Sequence, residues 1–586
     1  MNSIHNFHIP VMGVGYTIDT PIKVAHFGIS SVMSIGDDLL AERLRAFYSN
    51  KYDKDFIPIE KTEEDYRAKR ITAYLNLVDE IINDNFKKLK SLPFGVDNDL
   101  TKYFELLPSK SNLYKKYKAL ESLGFKDISL KKELLKAMQK GAADVNIMTK
   151  LDKENYDDNG EKLAYKYNDA HAALRGFAKS NLSSGVVLSA GLNPRLYSYI
   201  AELEDFYPDN NGDFKKRIIL KVSDFRSALI QGKFLAKKGV WVNEFRIESG
   251  LNCGGHAFPT EGMLLGPILE EFKINKQLLI EELFNIYNKA LTANNRNALN
   301  APPNILFTVQ GGVGTNEEHE FLINYFKVDA VGWGSPFLLV PEVVNIDEYS
   351  LNLIAKSTEK ELYLSNISPI GIPFNTIKNT SKEKDKNLMI KKGKPGSACT
   401  RKYLQLFNKE FSENPLCVSS RQYQNKKIKE LATLNLSQKA YDKAYKSITE
   451  KECLCTGLVK TVYDKLQLTQ KDDGEGISIC PGPNIAYFKE VVSLKQMVDH
   501  IYGKINLLKD VNRPNMFIKE LQAYIDYLKE FMLNQQSRND MANHKIKTFI
   551  SNLFKSIEYY KNLFKDNTML LTQLNNFQKE LNKFLI

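Results

Sequence analysis

Ile305-Leu306-Phe307-Thr308-Val309-Gln310-Gly311-Gly312-Val313-Gly314-Thr315 is the stretch on which the fold turns. A short apolar run enters a glycine-rich loop, and the amphipathic segment Asn316–Phe326 follows directly. A buried strand, a loop whose backbone can approach an anion, and a helix start with free N–H groups make one strand–loop–helix unit of a parallel α/β sheet. The next apolar run, Ala330-Val331-Gly332-Trp333, also ends in glycine and a hydroxyl, as Gly334-Ser335-Pro336.

Working outward, the same alternation recurs. Ile9–Gly15 and Ser31–Ile35 read as the first two strands, with a helix opened by Thr20-Pro21 between them. Ala143–Met148, Gly185–Ser189, Ile218–Val222 and Val242–Glu248 complete a set of eight. Eight strands alternating with helices predict an α/β fold of the (β/α)₈ TIM-barrel type. A doubly wound sheet fits less well, because Gly13-Val14-Gly15 is followed by Ile18 where a dinucleotide fingerprint needs glycine. Two glycine loops after the seventh and eighth strands of a barrel are where such folds hold a phosphate group.

The barrel is interrupted. Residues 1–40 read as its first part, 41–140 as a helical insertion and 141–345 as its remainder. In the insertion, Thr62-Glu63-Glu64-Asp65 fits a capping box ahead of Ile71, Tyr74, Leu75, Val78, Ile81 and Ile82 at helical spacing. Residues 346–510 form a Cys-bearing region with Gly/Pro turns. Residues 511–586 are helical, with stripes Phe517/Leu521/Tyr524/Leu528/Met532, Ile546/Ile550/Leu553/Ile557/Tyr560 and Leu570/Leu574/Phe577/Leu581/Phe584. Those stripes suit a bundle core or docking faces, including a homo-oligomer contact.

The 586 residues are 43% hydrophobic and 26% charged, the balance of an ordinary globular chain, which excludes a fibrous or disordered class. No apolar run reaches membrane-spanning length, and Met1–Pro10 does not read as a secretory signal. The net charge of +11 is too diffuse to mark a nucleic-acid surface. Six cysteines are too few for a disulfide scaffold, so a reducing, cytoplasmic setting is expected.

Asn252-Cys253-Gly254-Gly255-His256 follows the sixth strand and places a histidine at the phosphate-binding mouth. Its ordinary pKa suits proton transfer near neutrality; the plainer reading is a loop histidine bonded to backbone. Lys221, Ser223, Glu248 and Asn193 also lie near strand ends, and Asn168-Asp169-Ala170-His171 with Arg175 reads as a helix cap with solvated charges, the alternative being a lining of the same mouth. Cys399, Cys417, Cys453, Cys455 and Cys480 are candidate ligands of an iron–sulfur cluster or zinc, on the strength of the Cys453-Leu454-Cys455 pair and the turn positions of Cys399 and Cys480. Buried unpaired thiols are the alternative.

These motifs together resemble the nitronate monooxygenase (2-nitropropane dioxygenase-like) family of FMN-dependent barrels, which includes flavin-dependent enoyl-acyl-carrier-protein reductases. Pro10-Val11-Met12-Gly13 is similar to the family's first-strand segment beneath the flavin, and Val145-Asn146-Ile147 to its third-strand segment. Cys253-Gly254-Gly255-His256 is similar to its G-G-H motif, Gln310-Gly311-Gly312-Val313 to its phosphate loop, and Gly334-Ser335-Pro336-Phe337 to its terminal G-T-x-F. The resemblance covers residues 9–40 and 140–342, and a glutamate-synthase-type FMN barrel would share only the glycine loop. It implies an FMN-dependent oxidoreductase with His256 as catalytic base. Met12, Gly13, Asn146, Lys221, Gly254, Gly255, Gly311, Gly312, Gly334 and Ser335 would hold the cofactor, and the substrate would be a small carbon acid or an acyl thioester. The family lacks so long an insertion and so long a C-terminal region, which leaves open a phosphate-binding barrel enzyme without flavin, or a non-catalytic barrel scaffold.

Overall fold

A computed structural model describes residues 4–157, 159–189, 191–403, 408–534 and 540–584. Eight parallel strands close into one barrel in chain order: β1 Phe7–Ile9, β2 Ser30–Ser34, β3 Ala143–Met148, β4 Ser184–Ser189, β5 Lys216–Val222, β6 Glu244–Glu248, β7 Leu306–Gln310 and β8 Ala330–Gly332. Closure comes where Phe7 and His8 pair with Val331 and Gly332. The protein is a (β/α)₈ TIM barrel with additional helices.

Strand side chains alternate between helix-facing and barrel-facing positions. Ile218, Leu220 and Val222, with Phe245, Ile247, Phe307 and Val309, enter the large core beneath the surrounding helices. The alternate set is largely polar. Glu244 accepts from Arg246 Nε at 2.8 Å and from Thr308 Oγ1 at 2.5 Å, and Asp144 accepts from the Gly185 amide at 2.7 Å. Val32, Val187 and Ile219 form a small apolar cluster of their own. The same period carries Asn146, Ser189, Lys221, Glu248 and Gln310 to the strand ends, where they line one cavity.

Two local expectations are corrected. The first strand stops at Ile9, because Pro10 has no N–H for the ladder and Gly13 adopts φ +57°; Pro10–Gly15 is a loop against the cavity. The capping box at Thr62–Asp65 does not form. The helix Tyr66–Lys90 starts from Asp65 at φ 56° without a side-chain cap, and the Asp65 carboxylate is engaged by Arg175. The apolar stripe of that helix is buried, and Gly176 of the helix Asp169–Ala178 lets it approach: a Cβ there would lie 2.8 Å from the Ala68 carbonyl oxygen. Arg175 and Asp169 are accordingly buried and ion-paired, rather than solvated as expected.

Beyond the barrel, β9 Leu362–Ser365 and β10 Phe374–Ile377 form an antiparallel pair. The C-terminal helices Met516–Asn534, Asp540–Leu563 and Thr568–Asn582 bury most of their stripes within the chain. Tyr560 OH accepts from the Gly266 amide, at the start of the helix Leu265–Ala293. The stripes are spent on intrachain packing and give no support to a homo-oligomer contact.

Glu520 anchors this packing. Fully buried, it accepts from Ser249 Oγ at 2.6 Å and from the Leu265 amide at 2.8 Å, and burial pushes its carboxyl up to about 7. The unfolded value is about 4.3. The folded state therefore binds the proton more tightly, and the stabilisation it brings is complete below about pH 4.3 and lost as pH rises through about 7. Glu520→Gln should match the unaltered chain near pH 4 and exceed it by about 1–3 kcal/mol at pH 8, read as melting temperature against pH.

Candidate functional site

The cavity at the C-terminal ends of the strands has a volume of about 290 Å³. Its barrel side brings together Met12, Gly13, Asn146, Lys221, Gly254, Gly255, His256, Gly311, Gly312, Gly334 and Ser335. Its far side is built by the Cys-bearing region, through Ile370, Phe374, Leu454, Leu458 and Val459. Ser223 and Asn193 are not among the lining residues; Ser223 bonds Asp224, and Asn193 caps the helix Pro194–Ile200.

The glycine loops are shaped for close approach. Gly311 and Gly312 have φ of +108° and +82°, and a Cβ on Gly312 would sit 2.0 Å from Asn252 Nδ2. Both penalties fall on any larger residue there. Among the described residues, the buried amides of Gly312 and Val313 have no hydrogen-bond partner within the protein. Unpaired buried N–H groups are rare, and two in succession make a place for anion oxygens. Thr315 caps the following helix Asn316–Asn324 by accepting from the Glu318 amide. Ser335, by contrast, uses its hydroxyl on the Gly482 amide at 2.6 Å.

Beside the loops, Lys221 Nζ lies 2.9 Å from Glu248 Oε2, and Gln310 Nε2 donates to Glu248 Oε1 at 2.8 Å. Burial works against the Lys221 charge, but Glu248 outweighs it and holds the ammonium above its ordinary range. Among the described residues, the buried oxygens Asn146 Oδ1 and Gln310 Oε1 have no hydrogen-bond partner. A ligand with N–H groups would satisfy them.

His256 is held from outside the barrel. Its Nε2 is 2.7 Å from Ser368 Oγ, and its ring meets Phe374 edge-on at 5.0 Å. Flanking backbone bonds fix the loop: Ala257 N to Pro373 O, and Asn375 N to Gly255 O, both 2.9 Å. Burial, reinforced by the Lys221 charge, lowers its pKa to about 4, so the imidazole is neutral at physiological pH.

The cysteines divide. Cys455 and Cys480 line the cavity, with the Cys480 carbonyl 2.6 Å from where a Gly254 Cβ would stand. Cys399 neighbours Cys417, and Cys453 neighbours Cys455. Among the described residues, no group of three or more His, Cys, Asp or Glu side chains is arranged to hold a metal. The iron–sulfur or zinc expectation for Cys399, Cys417, Cys453, Cys455 and Cys480 therefore finds no support. Cys480 is drawn to the barrel mouth, whereas Cys399, Cys417, Cys453 and Cys455 lie near enough to feel one another's charge.

Glu318, Asn484, Ser368 and Arg513, all at or behind the site, were not singled out in the sequence. The turn residues Pro481-Gly482-Pro483 before Asn484, and Pro514 after Arg513, are the signals that mark their segments.

No protein-family model matches the chain, and no curated protein matches it either. Among solved structures it is similar to FabK from Thermotoga maritima, with 13% identity and a TM-score of 0.30 over 69% of this chain and 83% of that one. It is also similar to the enoyl reductase domain of MlnA from the macrolactin biosynthesis cluster of Bacillus amyloliquefaciens, with 14% identity and a TM-score of 0.30 over 75% and 88%. The barrel assignment stands on the closed strand order itself.

The Lys221–Glu248 pair yields a test. Lys221→Met leaves a largely buried carboxylate without its cation and should cost about 2 kcal/mol of stability. Adding Glu248→Gln should return most of that loss in thermal unfolding.

Proposed function

We propose that the protein is an FMN-dependent oxidoreductase in which His256 moves a proton at the substrate carbon. The observation that carries this reading is the pair of unpartnered buried amides at Gly312 and Val313, opening on the same cavity as Lys221, Asn146 and His256. The residues present fit the group. The two amides and the loop Gly334-Ser335 would take its phosphate, while Asn146 and Gln310 would accept from its ring N–H groups. Lys221 would balance negative charge on the reduced ring. FMN bound there supplies acceptance and donation of two electrons at its ring nitrogen N5.

The chain does the rest. Leu454, Leu458, Ile370 and Phe374 form an apolar wall that keeps water from the reacting atoms. His256, neutral and oriented by Ser368, would take the proton from an acidic substrate C–H bond, leaving the bonding pair on a carbon whose electron-withdrawing group spreads the charge. A carbon acid with an electron-withdrawing group, such as a nitroalkane or an acyl thioester, suits this pairing of base and electron acceptor.

The purified protein, or the protein mixed with FMN, should show flavin absorption near about 370 and 450 nm at one equivalent per chain. Gly312→Val should weaken FMN by about 1–3 kcal/mol in an equilibrium titration, and unchanged affinity removes the phosphate assignment. His256→Asn should leave FMN bound and slow its bleaching by substrate about 10²–10⁴-fold. A histidine that only pins its loop predicts near-normal bleaching in that variant. With its pKa lowered to about 4, the base is already unprotonated at pH 5. Bleaching by the unaltered protein should then stay level from pH 5 upward and fall only as pH drops toward 4, with no inflection near 6.5.

A further inference from the structure

Arg513 stands behind the glycine loop and belongs to neither the barrel nor any motif read in the sequence. Its guanidinium makes three bonds, and each ends on the loop or on a residue that holds it. Nη2 donates to the Gly312 carbonyl at 2.6 Å, Nη1 to Glu318 Oε1 at 2.7 Å, and Nε to Asn484 Oδ1 at 2.7 Å. Asn484 in turn donates to the Val313 carbonyl at 2.6 Å. The carbonyls of Gly312 and Val313 are thus both tied to the C-terminal region. The peptide planes on either side are constrained with them, including the one that carries the free Val313 amide. Gly314 makes room for the contact, since a Cβ there would lie 2.6 Å from Arg513 Nε.

Charge adds a second reason. Glu318 is a buried carboxylate beside the loop; it accepts from the Gly314 amide at 2.9 Å and from the Met516 amide at 2.7 Å. A carboxylate so near two anion-binding amides opposes a phosphate through its field, and the low local dielectric strengthens that opposition. Arg513, 6% exposed at its side chain, is the cation placed against it.

Resting on the FMN reading above, we propose that Arg513 is a positioning residue for the cofactor phosphate. It orients the Gly312–Val313 peptides and cancels the Glu318 charge, so that the loop accepts a phosphate dianion. Its effect is specific to the phosphate and absent for the rest of the flavin.

Riboflavin, which lacks the phosphate, separates this role from general stability. FMN and riboflavin are titrated into the full chain by flavin fluorescence, for the unaltered protein, Arg513→Met, Arg513→Lys and Arg513→Met/Glu318→Gln. The unaltered chain should prefer FMN by about 100-fold or more. Arg513→Met should cut that preference at least tenfold while riboflavin affinity stays within about twofold. Arg513→Lys keeps the charge but cannot reach three acceptors, and should cut the preference about threefold; it serves as the deciding variant if Arg513→Met does not fold. The added Glu318→Gln should restore at least threefold of what Arg513→Met loses. A preference unchanged in the Met or Lys variant overturns the proposal, as does an equal fall for both flavins. A double variant no better than Arg513→Met overturns the charge part of it. If the unaltered chain binds neither flavin, the FMN reading itself falls and the proposal with it. If it binds both alike, the phosphate assignment of the loop falls and takes Arg513's role along.

Discussion

A parallel barrel ends, at its C-terminal face, in loops whose backbone groups have no ladder to join, and this chain satisfies them with residues from beyond the barrel. Asn375 donates through its side chain to the Cys253 carbonyl and through its backbone to that of Gly255. Asn484 and Arg513 take the carbonyls of Val313 and Gly312, Gly482 donates to Ser335, and the Gly15 amide donates to Leu458. The loops after β1, β6, β7 and β8 are all held this way. Because a buried backbone group left unbonded costs about 1–3 kcal/mol, this set of bonds decides where the Cys-bearing region can sit. It also decides where the cavity is walled by the C-terminal region and leaves the Gly312 and Val313 amides for a ligand.

The barrel interior follows from the same economy of polar groups. Inward positions carry Glu244, Arg246 and Thr308, which satisfy one another inside the ring of strands, and Asp144, which accepts from the Gly185 amide and pairs with Arg217. One step further along each strand, the polar side chains have no facing layer and turn to the cavity instead: Asn146, Lys221, Glu248 and Gln310. A structural layer and a chemical layer are thus consecutive turns of one two-residue period.

That period explains what is legible in the sequence. The outward residues of β3, β5 and β7 are apolar and mostly β-branched or aromatic, so the strands stand out, and their order with intervening helices indicates the barrel. The glycine loops stand out because few side chains tolerate their φ. The first strand is misjudged in length because Val11 and Met12 are apolar for the cavity's sake and not for a ladder. The cap of the Tyr66 helix is misjudged because Asp65 is claimed by Arg175, 110 positions away, and no local pattern carries that information. Ser368, Asn484 and Arg513 are invisible for the same reason: each is an ordinary polar residue until the loop it serves is placed opposite it. Of the cysteines, Cys453 and Cys455 are close in sequence and Cys399 and Cys417 join them only through folding, while Cys480 stands apart at the barrel mouth.

His5, near the start of the barrel, hydrogen-bonds Tyr502 across 497 positions, and β1 is paired on one side by β8. Contacts of that span cannot form until the distant partner has been made. On the ribosome, β1 emerges early with one edge open, and it must wait for β8 to close the ring and for residues 454–513 to cover the mouth. Long-range closure of this kind is slow and leaves apolar strand edges exposed meanwhile. The helix Tyr66–Lys90, whose Tyr74 hydroxyl bonds the Ile18 carbonyl, is made soon after β2 and can shelter that early segment. Its place between β2 and β3 therefore gives the nascent barrel a local partner during synthesis, long before the distant strands arrive.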